Sequence, residues 1–306
     1  MTGHADGNAR RVHTDHRRQW RDCLYVYPVI SRRAGGLSVG VNLNPDKRCT
    51  FACVYCQIDR TVPREAYPID LPVLRNELRQ ALQAVTSSEL WAEPRFAAVP
   101  RALRRLNDIA FSGDGEPTCL PNFDEAVRAA ADAKRLAGRD DVKIIVITNA
   151  TRLRSPQVAR ALPILDTCNG EIWAKLDAGS EERFRRVNRP AEGLTLAQIV
   201  ADIAFVAAGR PVVIQTLLFR AAGEPPAASE IDAYIARLRE ILDAGGRISL
   251  VQLHTVARPP AERDVSALSS EELEAIAALV RAALPALAVQ TFGGADVPPQ
   301  HPGAGR

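Results

Sequence analysis

Residues 37–56 read LSVGVNLNPDKRCTFACVYC, a short apolar run followed at once by three cysteines. The first seven residues have the composition of a buried β-strand. The cysteines then follow with the spacing C-x3-C-x2-C, at Cys49, Cys53 and Cys56. Close spacing of this kind indicates metal binding rather than disulfide bonds. The stretch therefore predicts a metal-dependent site in the loop that follows a buried strand.

Apolar strands and amphipathic helices alternate along the rest of the chain. Six main strands are predicted, at residues 37–43, 106–111, 142–148, 170–177, 211–219 and 248–255. A last short strand is expected at 287–292. Strands that are apolar throughout are typical of a parallel sheet covered by helices. Because six units are fewer than the eight of a closed barrel, the predicted fold is α/β, a partial (β/α)6 barrel with a parallel sheet.

The cysteine trio has the composition of a soft metal centre, because thiolates suit zinc and iron–sulfur clusters. Zinc sites and electron-transfer clusters commonly take four protein ligands. After Cys56 the next cysteine is Cys119, and no histidine lies between Cys49 and Cys119. Three ligands on a four-iron cluster leave one iron open to a small molecule, which is a catalytic arrangement. Structural zinc remains the alternative.

The C-x3-C-x-aromatic-C loop after a first strand resembles the radical S-adenosylmethionine (SAM) superfamily. Asn42-Leu43-Asn44-Pro45, Tyr55-Cys56-Gln57 and the segment SGDGEPT at 112–118 are similar to the iron–sulfur oxidoreductases related to tRNA-wyosine synthases. The resemblance covers about residues 23–260. It implies a partial barrel of the radical SAM type and a [4Fe–4S] cluster held by the three cysteines. It also implies reductive cleavage of SAM to a 5′-deoxyadenosyl radical that acts on an unidentified substrate.

Polar residues at the ends of other strands are candidates for SAM binding. Asp114-Gly115-Glu116 matches the Gly-Gly-Glu segment that holds the methionine amine in this family, with Asp114 in place of the first glycine. Glycines also let a ligand approach the backbone closely. Period-2 alternation places Lys175 and Asp177 on one face with Trp173. The candidates are Tyr55, Gly115, Glu116, Asn149, Lys175 and Asp177.

Each candidate also has a purely structural alternative. The glycine-rich segment has the composition of a plain turn, Tyr55 has that of a packed loop aromatic, and Lys175 with Asp177 forms a plausible structural ion pair. Gln215 and His254 are further candidates to face substrate, although a lone histidine is more often structural. Three arginines with Asn188 are candidates for a phosphate or the SAM carboxylate, or else surface residues: Arg185, Arg186 and Arg189.

The 306 residues are 46% apolar and 25% charged, ordinary values for a globular protein. The expected organisation is a basic, poorly ordered tail at 1–22, a radical SAM core at 23–294 and a flexible tail at 295–306. No run of about 18 apolar residues occurs, and no secretory signal is recognisable. We therefore expect a cytoplasmic protein without a membrane segment.

The partners are only partly indicated by the sequence. A net charge of +3 does not by itself imply nucleic acid, although the basic N-terminus has residues that suit phosphate. Wyosine synthases act on tRNA and carry an additional cluster or cysteine set, but Cys23 alone precedes the loop here, so a tRNA substrate has weak support. The resemblance implies an electron donor such as flavodoxin or ferredoxin. A metal-stabilised RNA-binding module without radical chemistry is the competing class of protein.

Overall fold

The computed structural model describes residues 19–60, 68–258, 260 and 262–293. The strands are β1 Val26–Ser31, β2 Gly36–Val41, β3 Leu106–Phe111, β4 Lys143–Thr148, β5 Gly170–Lys175, β6 Val212–Leu217, β7 Phe219–Ala221, β8 Ile248–His254, β9 Val265–Ala267 and β10 Val289–Phe292. The α-helices are α1 Leu71–Thr86, α2 Pro94–Ala97, α3 Phe123–Leu136, α4 Pro156–Thr167, α5 Glu181–Asn188, α6 Leu196–Gly209, α7 Ala228–Asp243 and α8 Ser270–Ala283.

Eight of these strands form one sheet in the order β1-β2-β3-β4-β5-β6-β8-β10. The pair β1–β2 is antiparallel, and every other neighbouring pair is parallel. The short strands β7 and β9 pair with each other in a separate antiparallel ladder. All six predicted βα strands and the last short strand are present, so the predicted α/β fold with a parallel sheet is confirmed.

The sheet curls into a partial barrel, as a contact between residues beside its two edge strands shows. Arg32, in the turn after β1, donates a hydrogen bond from its guanidinium to the carbonyl oxygen of Gly293, which follows β10. The carboxyl ends of the parallel strands consequently surround one open space. Ligand sites of parallel α/β folds lie at this end of the strands.

The main hydrophobic core lies between the outer face of the sheet and the helices, and strand alternation divides the residues between the two faces. In β3, Ile109 and Phe111 are fully buried members of this core. Their neighbours Asp108 and Ala110 face the inside of the curl and line its cavity. A second, smaller cluster on this inner face comprises Ala110, Ile145, Trp173 and Val213.

Helix boundaries follow capping side chains that the sequence already displays. Asp70 accepts a hydrogen bond from the Val73 amide at 3.0 Å and so begins α1. Ser269 and Glu272 form the predicted capping box at the start of α8. Such caps satisfy amide groups that a helix leaves without an internal partner.

The predicted tails lie largely outside the described residues, which begin at 19 and end at 293. Trp20 belongs to the predicted N-terminal segment, yet it is only 3% exposed and donates from its ring nitrogen to Glu93. Helices long and apolar enough to span a bilayer do not occur in the described part of the chain.

Candidate active site

A cavity of about 340 Å³ opens at the carboxyl ends of the parallel strands. This volume lies in the range of roughly 300–1,000 Å³ that is common for small-molecule sites. Eight of the nine sequence-predicted site residues line it: Cys49, Cys53, Tyr55, Cys56, Gly115, Glu116, Asn149 and Lys175. The ninth, Asp177, lies behind Tyr55 and does not reach the cavity surface. Tertiary folding thus brings together residues that are more than 100 positions apart in sequence.

Each of the three cysteine sulfurs has a nitrogen donor from a different part of the fold. The Asn149 side-chain amide lies 3.7 Å from the Cys49 sulfur. The Asn188 amide lies 3.6 Å from the Cys53 sulfur, and the Arg60 guanidinium lies 3.5 Å from the Cys56 sulfur. Donors to sulfur stabilise negative charge on thiolate ligands and tune the potential of iron–sulfur clusters.

Burial is the largest influence on the thiols of Cys49 and Cys53. Burial raises the pKa of the Cys49 thiol to about 12 and also raises the pKa of Cys53, whereas the charge of Lys175 acts to lower the latter. These thiols become thiolates only with a strong positive charge beside them, which bound iron provides. Within the described residues, no three His, Cys, Asp or Glu side chains are grouped tightly enough to hold a metal ion directly. The features that suit the three cysteines to a cluster are therefore their shared cavity and the nitrogen donors to their sulfurs.

The cysteine loop is fixed against the end of α5. The amide of Ala52 donates to the carbonyl of Asn188 at 3.1 Å, and the amide of Val54 donates to the carbonyl of Val187 at 3.0 Å. The ring of Phe51 meets that of Phe184 edge-on, with centroids 5.4 Å apart. These contacts hold the loop over the mouth of the barrel.

Glu116 is almost completely enclosed, with 2% of its surface exposed. Its Oε1 accepts hydrogen bonds from the Thr118 hydroxyl at 2.5 Å and the Thr148 hydroxyl at 2.6 Å. Its Oε2 accepts from the Asn149 amide at 2.6 Å. Burial raises the pKa of this carboxyl, and the hydrogen bonds oppose that rise. Glu116 therefore fixes the end of β4, and Oε2, with one donor, retains capacity for a ligand amine.

The glycines of the 113–115 turn accommodate protein atoms rather than open space for a ligand. A methyl group on Gly115 would lie 1.8 Å from the carbonyl oxygen of Arg48, and one on Gly113 would lie 2.2 Å from the Asn42 side chain. The segment before the cysteines packs directly on this turn. The close approach expected of a ligand is therefore made by the chain's own cysteine loop, although Gly115 still lines the cavity.

Asp177 organises a buried polar network beneath the cysteines. It accepts hydrogen bonds from the Tyr55 hydroxyl, from the Asn188 amide at 2.9 Å and from the backbone of Leu217 at 2.8 Å. Lys175 lies 3.7 Å from the same carboxylate and donates to the Tyr55 hydroxyl at 2.8 Å. The expected ion pair therefore exists, and Asp177 acts on the cavity through Tyr55 and Lys175. Since β5 ends at Lys175, the predicted alternation does not extend to Asp177.

The further candidates divide between the cavity and the surface. Gln215 and His254 both line the cavity, and Gln215 donates to Gln252 at 3.1 Å. Arg185 and Arg189 instead pair with Glu181 and Glu262 at the surface. Arg186 is exposed on α5. The arginine run is therefore a surface feature, and Asn188 is the buried member of that group.

Three lining residues were not predicted from the sequence: Arg33, Arg60 and Asp108. Asn188 was predicted as a candidate for a phosphate or the SAM carboxylate, and not as a donor to a cysteine sulfur. Asp108 was detectable in principle, because a lone carboxylate within an apolar strand is unusual. Arg60 contacts Cys56, 4 positions away, and Asn188 contacts Cys53, 135 positions away. Arg33 lies in an ordinary-looking hairpin turn, and no local pattern distinguishes it.

Comparison with protein families supports the enzyme class that this geometry suggests. Residues 43–190 match the family described as the radical SAM superfamily, and this range contains the three cysteines, Glu116, Asn149 and Lys175. Just under half of the chain is thus similar to radical SAM enzymes, for which SAM and an iron–sulfur cluster are the family's cofactors. An RNA-binding module without chemistry gains no support from this result.

Two curated relatives carry no description of activity in their names. A UPF0026 protein of Methanocaldococcus jannaschii is 29% identical over 178 residues, which are 56% of this chain and 46% of that protein. A UPF0026 protein of Helicobacter pylori is 26% identical over 251 residues, 80% of this chain and 70% of that protein. The chain thus spans about half of the archaeal relative and more of the bacterial one.

Solved structures support the fold. A radical SAM methyltransferase from Sphaerobacter thermophilus matches with a TM-score of 0.59 and 14% identity, over 87% of this chain and 68% of that one. Streptococcus suis SuiB bound to S-adenosylmethionine matches with a TM-score of 0.55 and 14% identity, over 81% of this chain and 49% of that one. At 14% identity these two similarities show a shared fold and nothing more.

Proposed function

We propose that this protein binds one [4Fe–4S] cluster through Cys49, Cys53 and Cys56. When bound and reduced, such a cluster supplies the electron that cleaves SAM to methionine and a 5′-deoxyadenosyl radical, which takes a hydrogen atom from the substrate. The observation that carries the proposal is the convergence of three cysteine sulfurs on one cavity, each with a nitrogen donor from a different element. The substrate is unidentified.

The other cavity residues suit the polar groups of SAM. Oε2 of Glu116 accepts a single hydrogen bond from the protein, so it can also accept one from the amino group of SAM. Lys175 uses one N–H on Tyr55 and has further N–H groups for a carboxylate. The Asn149 amide is held by Thr50 at 2.8 Å and lies beside the first cysteine. Tyr55 and the Gly115 backbone would complete the wall, while Asp177 positions Tyr55 and Lys175.

Reduction would come from a small electron-transfer protein such as flavodoxin or ferredoxin. The neighbour SuiB is bound to S-adenosylmethionine in its solved structure, which supports SAM as a ligand of this chain. The likeness to wyosine synthase-related proteins makes tRNA one candidate substrate among several.

The proposal is tested by anaerobic reconstitution with iron and sulfide, followed by dithionite and SAM and measurement of 5′-deoxyadenosine. The variant Cys53→Ala is run beside wild type, with Cys168→Ala as a matched control because Cys168 lies at the far end of β5 from the loop. We expect wild type and the control to bind about four irons per chain and to form 5′-deoxyadenosine, and Cys53→Ala to do neither. Zinc without iron–sulfur absorption in wild type would refute the proposal.

A further inference from the structure

Three arginines line a part of the cavity that the SAM proposal does not use. Arg32 and Arg33 lie in the turn between β1 and β2, and Arg258 follows β8. This turn adjoins the gap between the two edges of the sheet, where Arg32 contacts Gly293. The arginines are therefore placed beside the lateral opening of the partial barrel.

The charge of Arg33 has no direct counter-ion in the described part of the chain. Its guanidinium makes neither a hydrogen bond nor an ion pair with any residue described there, although it lines the cavity. Burial and the neighbouring arginines lower its pKa to about 10, so it remains charged at neutral pH. Because the residue keeps part of its surface exposed, an anion that enters the cavity can reach the guanidinium and pair with it.

Asp108 lines the same cavity and acts electrostatically on Arg33. It is 2% exposed and accepts a hydrogen bond from the Ser38 hydroxyl. The other cavity carboxylate, Glu116, is bonded to the end of β4. Arg60 and Lys175 are directed to Cys56 and Tyr55 respectively. Arg32 and Arg33 together carry more positive charge than Asp108 offsets at the lateral opening.

His254 supplies a second, independent sign of a missing ligand group. It is 7% exposed and lines the same cavity, and its Nδ1 is buried with no hydrogen-bond partner among the described residues. Burial and the surrounding positive charges, Arg33 foremost, hold its pKa well below the usual value. The ring is therefore neutral, with one N–H donor and one acceptor nitrogen. Buried polar atoms of this kind usually have a partner.

We propose that Arg33, with Arg258 and His254, binds an anionic group of the substrate, a carboxylate or a phosphate. A planar guanidinium suits the oxygen geometry of either group. The inference rests on the proposed function in one respect, that this cavity is the substrate site. It adds that the substrate is an anion and that its charged end lies beside Arg33 and His254.

The test is a binding titration of the full chain as purified, without SAM, using malonate in one series and inorganic phosphate in another. Wild type is compared with Arg33→Gln, His254→Phe and Asp108→Asn. The matched control is Arg186→Gln, which removes an exposed arginine on α5 that lies outside the cavity. Losing one charge-assisted bond should weaken binding by at least about tenfold.

We expect saturable binding of one anion to wild type and to Arg186→Gln with equal affinity. Arg33→Gln should bind at least about tenfold more weakly, His254→Phe more weakly, and Asp108→Asn more tightly because a repelling charge is gone. Preference for malonate would indicate a carboxylate substrate, and preference for phosphate a phosphorylated one. Absence of saturable binding to wild type, or equal binding to Arg33→Gln and Arg186→Gln, would overturn the inference.

The titration contains neither SAM nor reductant, so its outcome is separate from that of the 5′-deoxyadenosine assay. If Arg33 governs anion binding but no 5′-deoxyadenosine forms, the anion site stands and the proposed function fails. If 5′-deoxyadenosine forms but anion binding does not depend on Arg33, the proposed function stands and this inference fails.

Discussion

Replacing Asp177 with alanine should destabilise the fold far more than a typical surface change. The Asp177 side chain is fully buried and serves three donors: the Tyr55 hydroxyl, the Asn188 amide and the Leu217 backbone. Each buried donor left without a partner costs about 1–3 kcal/mol. Removing one member of a buried ion pair, here the partner of Lys175, costs about 3–5 kcal/mol. Because these contributions overlap, we expect a loss of about 3–5 kcal/mol in the free energy of unfolding.

Urea unfolding of the metal-free chain at constant pH measures this loss without any contribution from cluster binding. The matched control is Asp132→Ala, which removes a carboxylate that is 53% exposed and pairs with Arg135 on α3. Exposed pairs contribute at most about 1 kcal/mol. Tyr55 and Asn188 would also lose their fixed positions, so iron content after reconstitution should fall in Asp177→Ala alone. A loss below about 1 kcal/mol, equal to that of the control, would refute the reasoning.

Three further changes have expected outcomes. Burial raises the pKa of Asp108 to about 6, so the folded state holds this proton more tightly than the unfolded state, whose pKa is near 3.8. The protonated Asp108 carboxyl stabilises the fold by roughly 3 kcal/mol below about pH 4, and this stabilisation is lost as pH rises through about 6. Urea unfolding between pH 4 and 7.5 should show the decline for wild type and not for Asp108→Asn. The same pH profile in both proteins would contradict this expectation. Gly115→Ala forces a methyl group against the Arg48 carbonyl, so it should lower the free energy of unfolding by about 1–3 kcal/mol and reduce the iron bound after reconstitution. The control Gly209→Ala, whose methyl group meets nothing within 4 Å, should retain iron. Equal iron content in both variants would argue against a packed turn. Lys134→Met removes the buried donor of three carbonyl groups, those of Asp140, Val142 and Cys168. Urea unfolding should therefore show a loss of about 2–4 kcal/mol in the free energy of unfolding. A loss within about 0.5 kcal/mol would show that water replaces the ammonium group.

Much of the fold could be predicted from the sequence because the signals are local. The strands β3 to β6 and β8 are apolar runs bounded by turns, and some helices begin at side chains that cap them, such as Asp70 at α1 and Ser269 at α8. The hairpin partner β1 lies outside the predicted strands, because its pairing depends on contacts with β2 rather than on its own composition. Strand ends also differ, since β5 stops at Lys175 before the predicted end at 177.

The candidate site divides in the same way. Cys49, Cys53 and Cys56 are adjacent in sequence, so their spacing alone indicates their chemistry. The hydrogen bonds of Glu116 to Thr148 and of Asp177 to Tyr55 were not predictable, because these partners lie 32 and 122 positions away in the sequence. The same is true of Gly115, whose constraint is a carbonyl oxygen of the cysteine loop.

The sequence by itself determined the class of fold, the cysteine trio and the end of the sheet at which a site would form. Periodicity and close spacing are properties of neighbouring residues, and neighbours are what a sequence records. The tertiary structure is needed to show which polar groups face the cavity and which are hydrogen-bonded to one another. It placed Asp177 behind Tyr55, the donors beside the sulfurs, and Arg33 beside His254 at the lateral opening. Those positions depend on the curl of the sheet and on contacts between distant segments, which no local pattern contains.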